Sequence, residues 1–393
     1  MLAKRDTMGR RLVHATAVGV GLLALTAMPA AAQSPSAPGS GAPPPLPLPP
    51  SMMGDFSADL MPDLPDLSTL PRADTEDDDR FVIIHSGHTS GVYYLAAAAI
   101  CEALGATFED HRIHCAAERT TGDPENAAAL KSGEAEVALI QGDDNYRAAV
   151  GEADIGPARS IMSLFYESAV VVSRPEVDIA AVRDLDGLTV NLGPDESAPR
   201  HLWSLLSQHG IAPKPDAIVL TQYERPALHR LMCEEEIDAY VDWIGHPAPY
   251  IGRTARYCNA RIGGVPWTET VTDLVDRTPW LYRTVIPGGS YVGQDEPVKT
   301  IGTRATLVAR ADTDAEIVYH ITRAVLSDLE RFRGYARALR ASSLVPMISE
   351  GNYLPFHAGA RRYFDEQGLP AAAGVDAEAS AGAGAGAGAG ADG

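Results

Sequence analysis

Two hydrophobic rhythms run through the middle of the chain, one of period two and one of helical spacing. Phe81 to Ile84 is a run of apolar, β-prone residues, and Val92 to Leu104 is apolar and alanine-rich, with the small-residue segment His85 to Gly91 between them. That order predicts a buried strand, a loop and a helix. The pattern then repeats. Ile113 to Ala117 reads as a strand and Thr120 to Pro124 as a turn, with Asp123 a good N-cap and Pro124 at the first helical position. A helix from Glu125 to Ser132 stops at Gly133, Val137 to Ile140 is the next strand, and Asp143 can cap a helix through Val150. Such a β–α–β–α–β alternation requires a parallel sheet with right-handed crossovers.

The next strand is long, Ser160 to Val172, and the pattern predicts an interruption at Tyr166-Glu167-Ser168. A second strand–loop–helix follows, with a strand closing at Gly193, a cap-rich loop from Pro194 to Pro199 and a helix from Arg200 to His209. Ala217 to Tyr223 and Ile237 to Trp243 read as strands with a helix from Arg225 to Cys233 between them. Tyr282 to Gly293 lacks helical period, Thr303 to Ala309 reads as a strand and Ile317 to Arg331 as an amphipathic helix. The chain leaves one α/β unit and returns to it. This predicts two lobes around a cleft, lobe I from 80–175 with 300–369 and lobe II from 176–299, hinged near 168–182 and 295–305.

The ends of the 393-residue chain differ in character. Residues 1–32 carry Lys4, Arg5, Arg10 and Arg11, an apolar run from Leu12 to Met28, and Ala30-Ala31-Ala32, which together read as a cleaved secretory signal; a retained anchor is the rival reading. Residues 33–79 are rich in Pro, Ser and Gly and end in Asp77-Asp78-Asp79, and 370–393 is an Ala/Gly tail. Neither has a core-forming period, so both are expected to be disordered, the first as a tether. Losing the signal removes four basic residues and one acid, which takes the net charge from -20 to -23. That charge argues against nucleic acid or an anionic membrane surface as a partner.

Four cysteines, Cys101, Cys115, Cys233 and Cys258, in a chain bound for an oxidising compartment point to two bridges. Three pairings are possible, and proximity in sequence favours Cys101–Cys115 and Cys233–Cys258. A zinc site is the alternative because His111 and His114 crowd Cys115, but no CxxC accompanies them, so no metal is expected. No enzyme constellation stands out either. The first loop lacks the glycine spacing of a dinucleotide fold and the lysine of a P-loop, and Gly87-His88-Thr89-Ser90-Gly91 has Thr89 where a nucleophile elbow needs its serine. No cofactor is implied.

Several stretches resemble the TAXI family, the extracytoplasmic solute-binding subunits of TRAP-type secondary transporters. They are HSGHTSGVYY (85–94), TTGDPENAAALKSGEAEVALIQGD (120–143), VDWIGHPAP (241–249), YRTVIPGGSYVGQDEPVKTIGTRATLVAR (282–310) and LPFHAGARRYF (354–364), spanning roughly 80 to 369. The first loop departs from the family pattern at His85, Ser86, His88 and Ser90, and the second reads Thr120-Thr121-Gly122-Asp123 where the family has Thr-Gly-Gly-Ser. The resemblance implies a type II periplasmic-binding-protein fold in the periplasm. Its lobes would close on a small anionic or zwitterionic solute, often glutamate or a related dicarboxylate, and deliver it to TRAP membrane subunits. A periplasmic ligand sensor docking to a membrane receptor is the alternative for the same fold.

On that resemblance the first loop would supply Ser86, Thr89 and the backbone of Gly87 and Gly91 as donors to a ligand carboxylate, with Tyr93 as a wall. Thr121 and Asn126 belong to the second loop, and Gln141 and Asp143 would orient an amine or hydroxyl. Ser197, Trp243 and His246 face them from the other lobe, and Tyr282 and Tyr291 would close over the ligand. A carboxylate solute also asks for a cation, for which Arg119, next to the second loop, is the first choice.

Overall fold

The computed structural model describes residues 79–195 and 197–370. The expected signal at 1–32, nearly all of the 33–79 tether and the tail beyond Pro370 lie outside the described residues. In chain order the elements begin β1 (Arg80–His85), α1 (Val92–Gly105), α2 (Phe108–His111), β2 (Ile113–Glu118), α3 (Asp123–Ser132), β3 (Val137–Gln141), α4 (Gly142–Ala149) and β4 (Ala158–Ser173). They continue with β5 (Thr189–Asn191), α5 (Ala198–Gln208), β6 (Val219–Thr221), α6 (Leu228–Cys233), β7 (Ala239–Gly245), α7 (Pro249–Cys258), β8 (Arg261–Gly263) and α8 (Glu269–Arg277). The last are β9 (Tyr282–Ile286), β10 (Val298–Arg310), α9 (Ala315–Leu326), α10 (Leu329–Tyr335), α11 (Leu344–Ser349) and α12 (Ala358–Glu366).

The strands form one continuous sheet in the order β2-β1-β3-β10-β4-β7-β5-β6, with β8 on β4 and β9 on β10. It has two similar halves. β2, β1 and β3 are mutually parallel and are flanked by antiparallel β10. β6, β5 and β7 are likewise parallel and are flanked by antiparallel β4. The two flanking strands are long because each serves both halves. β4 pairs with β10 over Ala158–Ser168 and with β7 over Glu167–Ser173. The α/β fold expected from the alternation is the fold observed, with helices packed on a mostly parallel sheet in each half.

One apolar core runs under α1, α9 and α12 and continues beneath α6 and α7, and a second, around Trp203, Trp243 and Leu206, fills the half built on β5 and β6. Burying one such large side chain contributes about 1.5–3 kcal/mol. The two disulfides are those favoured by proximity. Cys101–Cys115 ties α1 to β2, and Cys233–Cys258 ties the ends of α6 and α7.

Two expectations are corrected. β4 is not interrupted at Tyr166-Glu167-Ser168, because Tyr166 and Glu167 both pair with β10 and Glu167 also meets β7. The helix expected over Ile317–Arg331 is two helices, and the second begins afresh where the Asp328 carboxylate accepts the Arg331 N–H at 3.0 Å. Among the described residues no helix is long and apolar enough to cross a membrane.

Candidate functional site

The carboxyl ends of β1 and β3 in one half of the sheet and of β5 and β7 in the other point in opposite directions, since β7 runs antiparallel to β4 and β4 parallel to β3, and each set feeds loops of the kind that bind ligands in open α/β folds. A cavity of about 370 Å³ is lined by both sets. Gly87, Gly91 and Tyr93 line it from the β1–α1 connection, and Thr121 to Pro124 from the start of α3. Glu167 of β4 contributes to its floor. Asn191, Gly193 to Asp195, Ser197 to Pro199, Tyr223 to Arg225 and Val241 to Ile244 close it from the other half.

Local geometry explains each wall. Gly193 takes φ of +70°, and the Ser197 hydroxyl donates back to the Pro194 carbonyl at 2.7 Å with the Leu192 carbonyl 3.1 Å away, which folds the loop ahead of α5. The Asn191 side chain accepts the N–H of Tyr223 at 2.7 Å and donates to its carbonyl at 3.2 Å, pinning the 223–225 segment to the end of β5. Trp243 is buried, and its indole N–H donates to the Glu167 carbonyl at 2.9 Å, locking β7 to β4.

Two charged clusters face the cavity. In the first, the Tyr93 hydroxyl lies 2.8 Å from Glu167 Oε2 and 3.1 Å from Asp123 Oδ1, and Asp123 Oδ1 also accepts the Gln141 N–H at 2.7 Å. Burial, reinforced by Asp144, raises the Asp123 carboxyl to about 7. Burial and the neighbouring Asp123 hold Glu167 well above the usual range, and burial with Asp144 and Asp123 does the same for Asp143. In the second, the Arg225 guanidinium grips buried Asp242, whose carboxylate also accepts the hydroxyl of Tyr250 and the N–H of Trp243. Burial by itself would raise Asp242, but the Arg225 charge and these donors bring it below its ordinary value. Burial likewise opposes the charge on Arg225, and Asp242 outweighs it.

Of the residues expected from sequence, Gly87, Gly91, Tyr93, Thr121, Ser197 and Trp243 line this cavity. Others lie close by as supports. The Ser86 hydroxyl donates to the Glu118 carbonyl at 2.5 Å, and buried Asn126 donates to the carbonyls of Ser86 and Leu139, each at 2.7 Å, so that it holds the first loop against β3. Gln141 and Asp143 are buried behind the wall at the β3–α4 junction, each with a side-chain atom lacking a partner among the described residues, Gln141 Nε2 and Asp143 Oδ1. His246 does not reach the cavity. Its Nε2–H donates to the Ser168 carbonyl at 3.0 Å and its Nδ1 accepts the Tyr291 hydroxyl at 2.6 Å, while Tyr291 in turn accepts the Ala248 N–H at 2.8 Å. Burial drops the His246 pKa to about 4, so this latch holds a neutral ring.

Thr89 and Arg119 are exposed and outside the lining, and Tyr282 bonds Tyr353 at 2.8 Å elsewhere. The cavity's guanidinium is that of Arg225, at a position where the sequence pattern predicts the start of a helix. Glu167, Asp242, Asn191 and Tyr223 were also missed. A charged residue within the apolar run 160–172 was a readable sign for Glu167, and the polar run Gln222-Tyr223-Glu224-Arg225 at the end of β6 was one for Arg225. Cys, His, Asp and Glu side chains form no metal-binding group among the described residues.

Residues 84–368 match the NMT1-like family. Among solved structures, the periplasmic aliphatic sulphonate binding protein SsuA from Escherichia coli is similar at 12% identity over 75% of this chain and 90% of that chain, with a TM-score of 0.41. The alkanesulfonate-binding protein SsuA from Xanthomonas axonopodis pv. citri, bound to MOPS, is similar at 12% identity over 74% of this chain and 94% of that chain, TM-score 0.40. An ancestral arginine-binding protein bound to arginine is similar at 12% identity over 67% of this chain and 99% of that chain, TM-score 0.41.

Proposed function

The chain belongs to the NMT1-like family, and we propose that it is an extracytoplasmic solute-binding receptor, not an enzyme, that serves a TRAP-type transporter of the TAXI kind. It captures a small organic acid or amino acid such as glutamate in the periplasm and delivers it to membrane subunits. One observation carries this reading: the cavity is walled from both halves of the sheet, and each half presents a charged cluster. A solute that touches both halves binds the closed arrangement better than the open one, which is the requirement for recognition by closure. In this reading 80–175 with 300–369 moves as one lobe and 176–299 as the other.

The two clusters suit opposite ends of a zwitterion. Arg225 uses two N–H groups on Asp242, and a guanidinium has five, so it retains donors for a ligand carboxylate. The carboxyls of Asp123 and Glu167 suit an amine at the other end. About 370 Å³ matches a solute of amino-acid size.

A thermal-shift screen of residues 33–393 against amino acids, dicarboxylates, keto acids and sugars tests the proposal. A solute at a hundredfold excess over its Kd stabilises the folded state by about 2.7 kcal/mol. A shift with glutamate or a related acid, lost in Arg225→Lys, is the expected result. No shift with any member of the panel would count against a receptor for this solute class.

A further inference from the structure

The Tyr93 hydroxyl has one hydrogen, yet its oxygen lies within hydrogen-bond distance of two carboxyl groups, Glu167 at 2.8 Å and Asp123 at 3.1 Å. A phenol donates to one acceptor only, and an ionised carboxylate only accepts. With both carboxyls ionised, one of the two contacts would set two acceptor oxygens against each other beside the cavity. A single extra proton on either carboxyl turns the same three groups into an unbroken chain of donors and acceptors. We propose that Asp123 and Glu167 share one proton across the Tyr93 hydroxyl before a solute binds, and release it to solvent when a ligand ammonium group takes its place between them.

The surroundings favour such a proton. Asp143 and Asp144 at the start of α4 add negative charge behind the pair, and burial disfavours ionisation of all four acids. Arg225, which acts on Glu167 from the opposite half, is engaged by Asp242. Tyr93, Asp123 and Glu167 all line the cavity, so an incoming group can reach the pair. An ammonium group brings hydrogen-bond donors and a positive charge, so it can satisfy both carboxylates once the shared proton has left. A dicarboxylate without an amine has neither and keeps the proton in place.

The ligand clause rests on the receptor reading, whereas the shared proton does not, so the test has two arms. In the first, infrared spectra of the full folded chain without added solute are recorded between pH 5 and 8 for wild type, Asp123→Asn and Glu167→Gln. The carbonyl band of a protonated carboxylic acid is expected in wild type at pH 6 and is expected to weaken in both single variants, because the remaining carboxylate can then ionise against the Tyr93 donor. A band unchanged in both variants overturns the proposal even if the protein proves to be a receptor.

In the second arm, L-glutamate, L-arginine and methylammonium are compared with glutarate, by the same band and by calorimetry in buffers of different ionisation enthalpy. At least one amine probe is expected to remove the part of the band that the Asp123 and Glu167 variants weaken, and to release about one proton per site at pH 6. Glutarate is expected to do neither. Persistence of that part of the band with every amine probe, or equal proton release by glutarate, overturns the ammonium clause. The thermal-shift result decides separately whether the protein binds solutes of this class.

Discussion

Arg225 and Asp242 meet through two parallel hydrogen bonds, Nε to Oδ2 and Nη2 to Oδ1, both 2.8 Å, across the gap between the 223–225 segment and β7. The side chain of Asp242 is 3% exposed and that of Arg225 is 31% exposed, so the pair joins a buried anion to a cation that still opens on the cavity. Removing Arg225 strands a buried charge, which typically costs about 3–5 kcal/mol. Arg225→Ala is therefore expected to lower stability by that amount in urea denaturation. Adding Asp242→Asn should recover part of the loss, because the stranded charge is then gone. Arg119→Ala, on the exposed surface, is expected to leave both stability and solute affinity unchanged.

Tyr291 serves the latch on the loop after β7, not the cavity. Tyr291→Phe removes the donor to His246 and leaves the Ala248 N–H without its acceptor. A buried donor left unsatisfied costs about 1–3 kcal/mol. Denaturation should show that loss, while the affinity of any solute found by thermal shift should stay within about threefold of wild type.

Stability should depend on pH in a direction fixed by the buried acids. The folded-state pKa of Asp123 is about 7 against an ordinary value of 3.8, so the folded state binds the proton more tightly than the unfolded chain does. That contribution is fully present below pH 4 and is lost as pH rises through 7. His246 has the opposite sign. Its pKa falls from 6.5 to about 4, so its contribution is present above pH 6.5 and is lost as pH falls through 4. Thermal melts should therefore decline from pH 5 to 8 by an amount on the order of a few kcal/mol, and Asp123→Asn should flatten that decline.

The disulfides close loops of 14 and 25 residues of sequence separation. In the chain-entropy model a loop of about that length contributes roughly 3 kcal/mol. Replacing Cys101 and Cys115 together by Ala should lower stability by that order, and dithiothreitol should lower the Tm of wild type but have less effect on the double variant.

Much of the fold was legible because it is written in local pattern. β1, α1, β2, α3, β3 and α4 follow the hydrophobic period and the stop at Gly133 to within about two residues, but Asp123 does not cap α3: Gly122 does, Asp123 is the first helical residue, and its carboxyl turns to Tyr93 and the Gln141 N–H. The elements from Pro249 to Arg277 went unread although α7 and α8 are strongly amphipathic, and the three-residue β8 between them is too short to show a period. Within the candidate site, the glycine loop and Thr121 could be read from residue type and position. His246 and Tyr291 could not be told from binding residues, because a histidine and a tyrosine look the same in sequence whether they bind a solute or latch a loop.

By itself the sequence determined the α/β class, the disulfide pairing by proximity and the placement of ligand-facing loops at strand ends, since each follows from spacing along the chain. Only the tertiary structure decided which charges meet. Tyr93 and Glu167 are 74 residues apart in sequence, and their contact arises because β4 runs through both halves of the sheet and delivers Glu167 beneath the start of α1. The same is true of the cavity's cation. Arg225 replaces Arg119 because Asn191 pins its segment over Asp242, and burial makes that pairing strong.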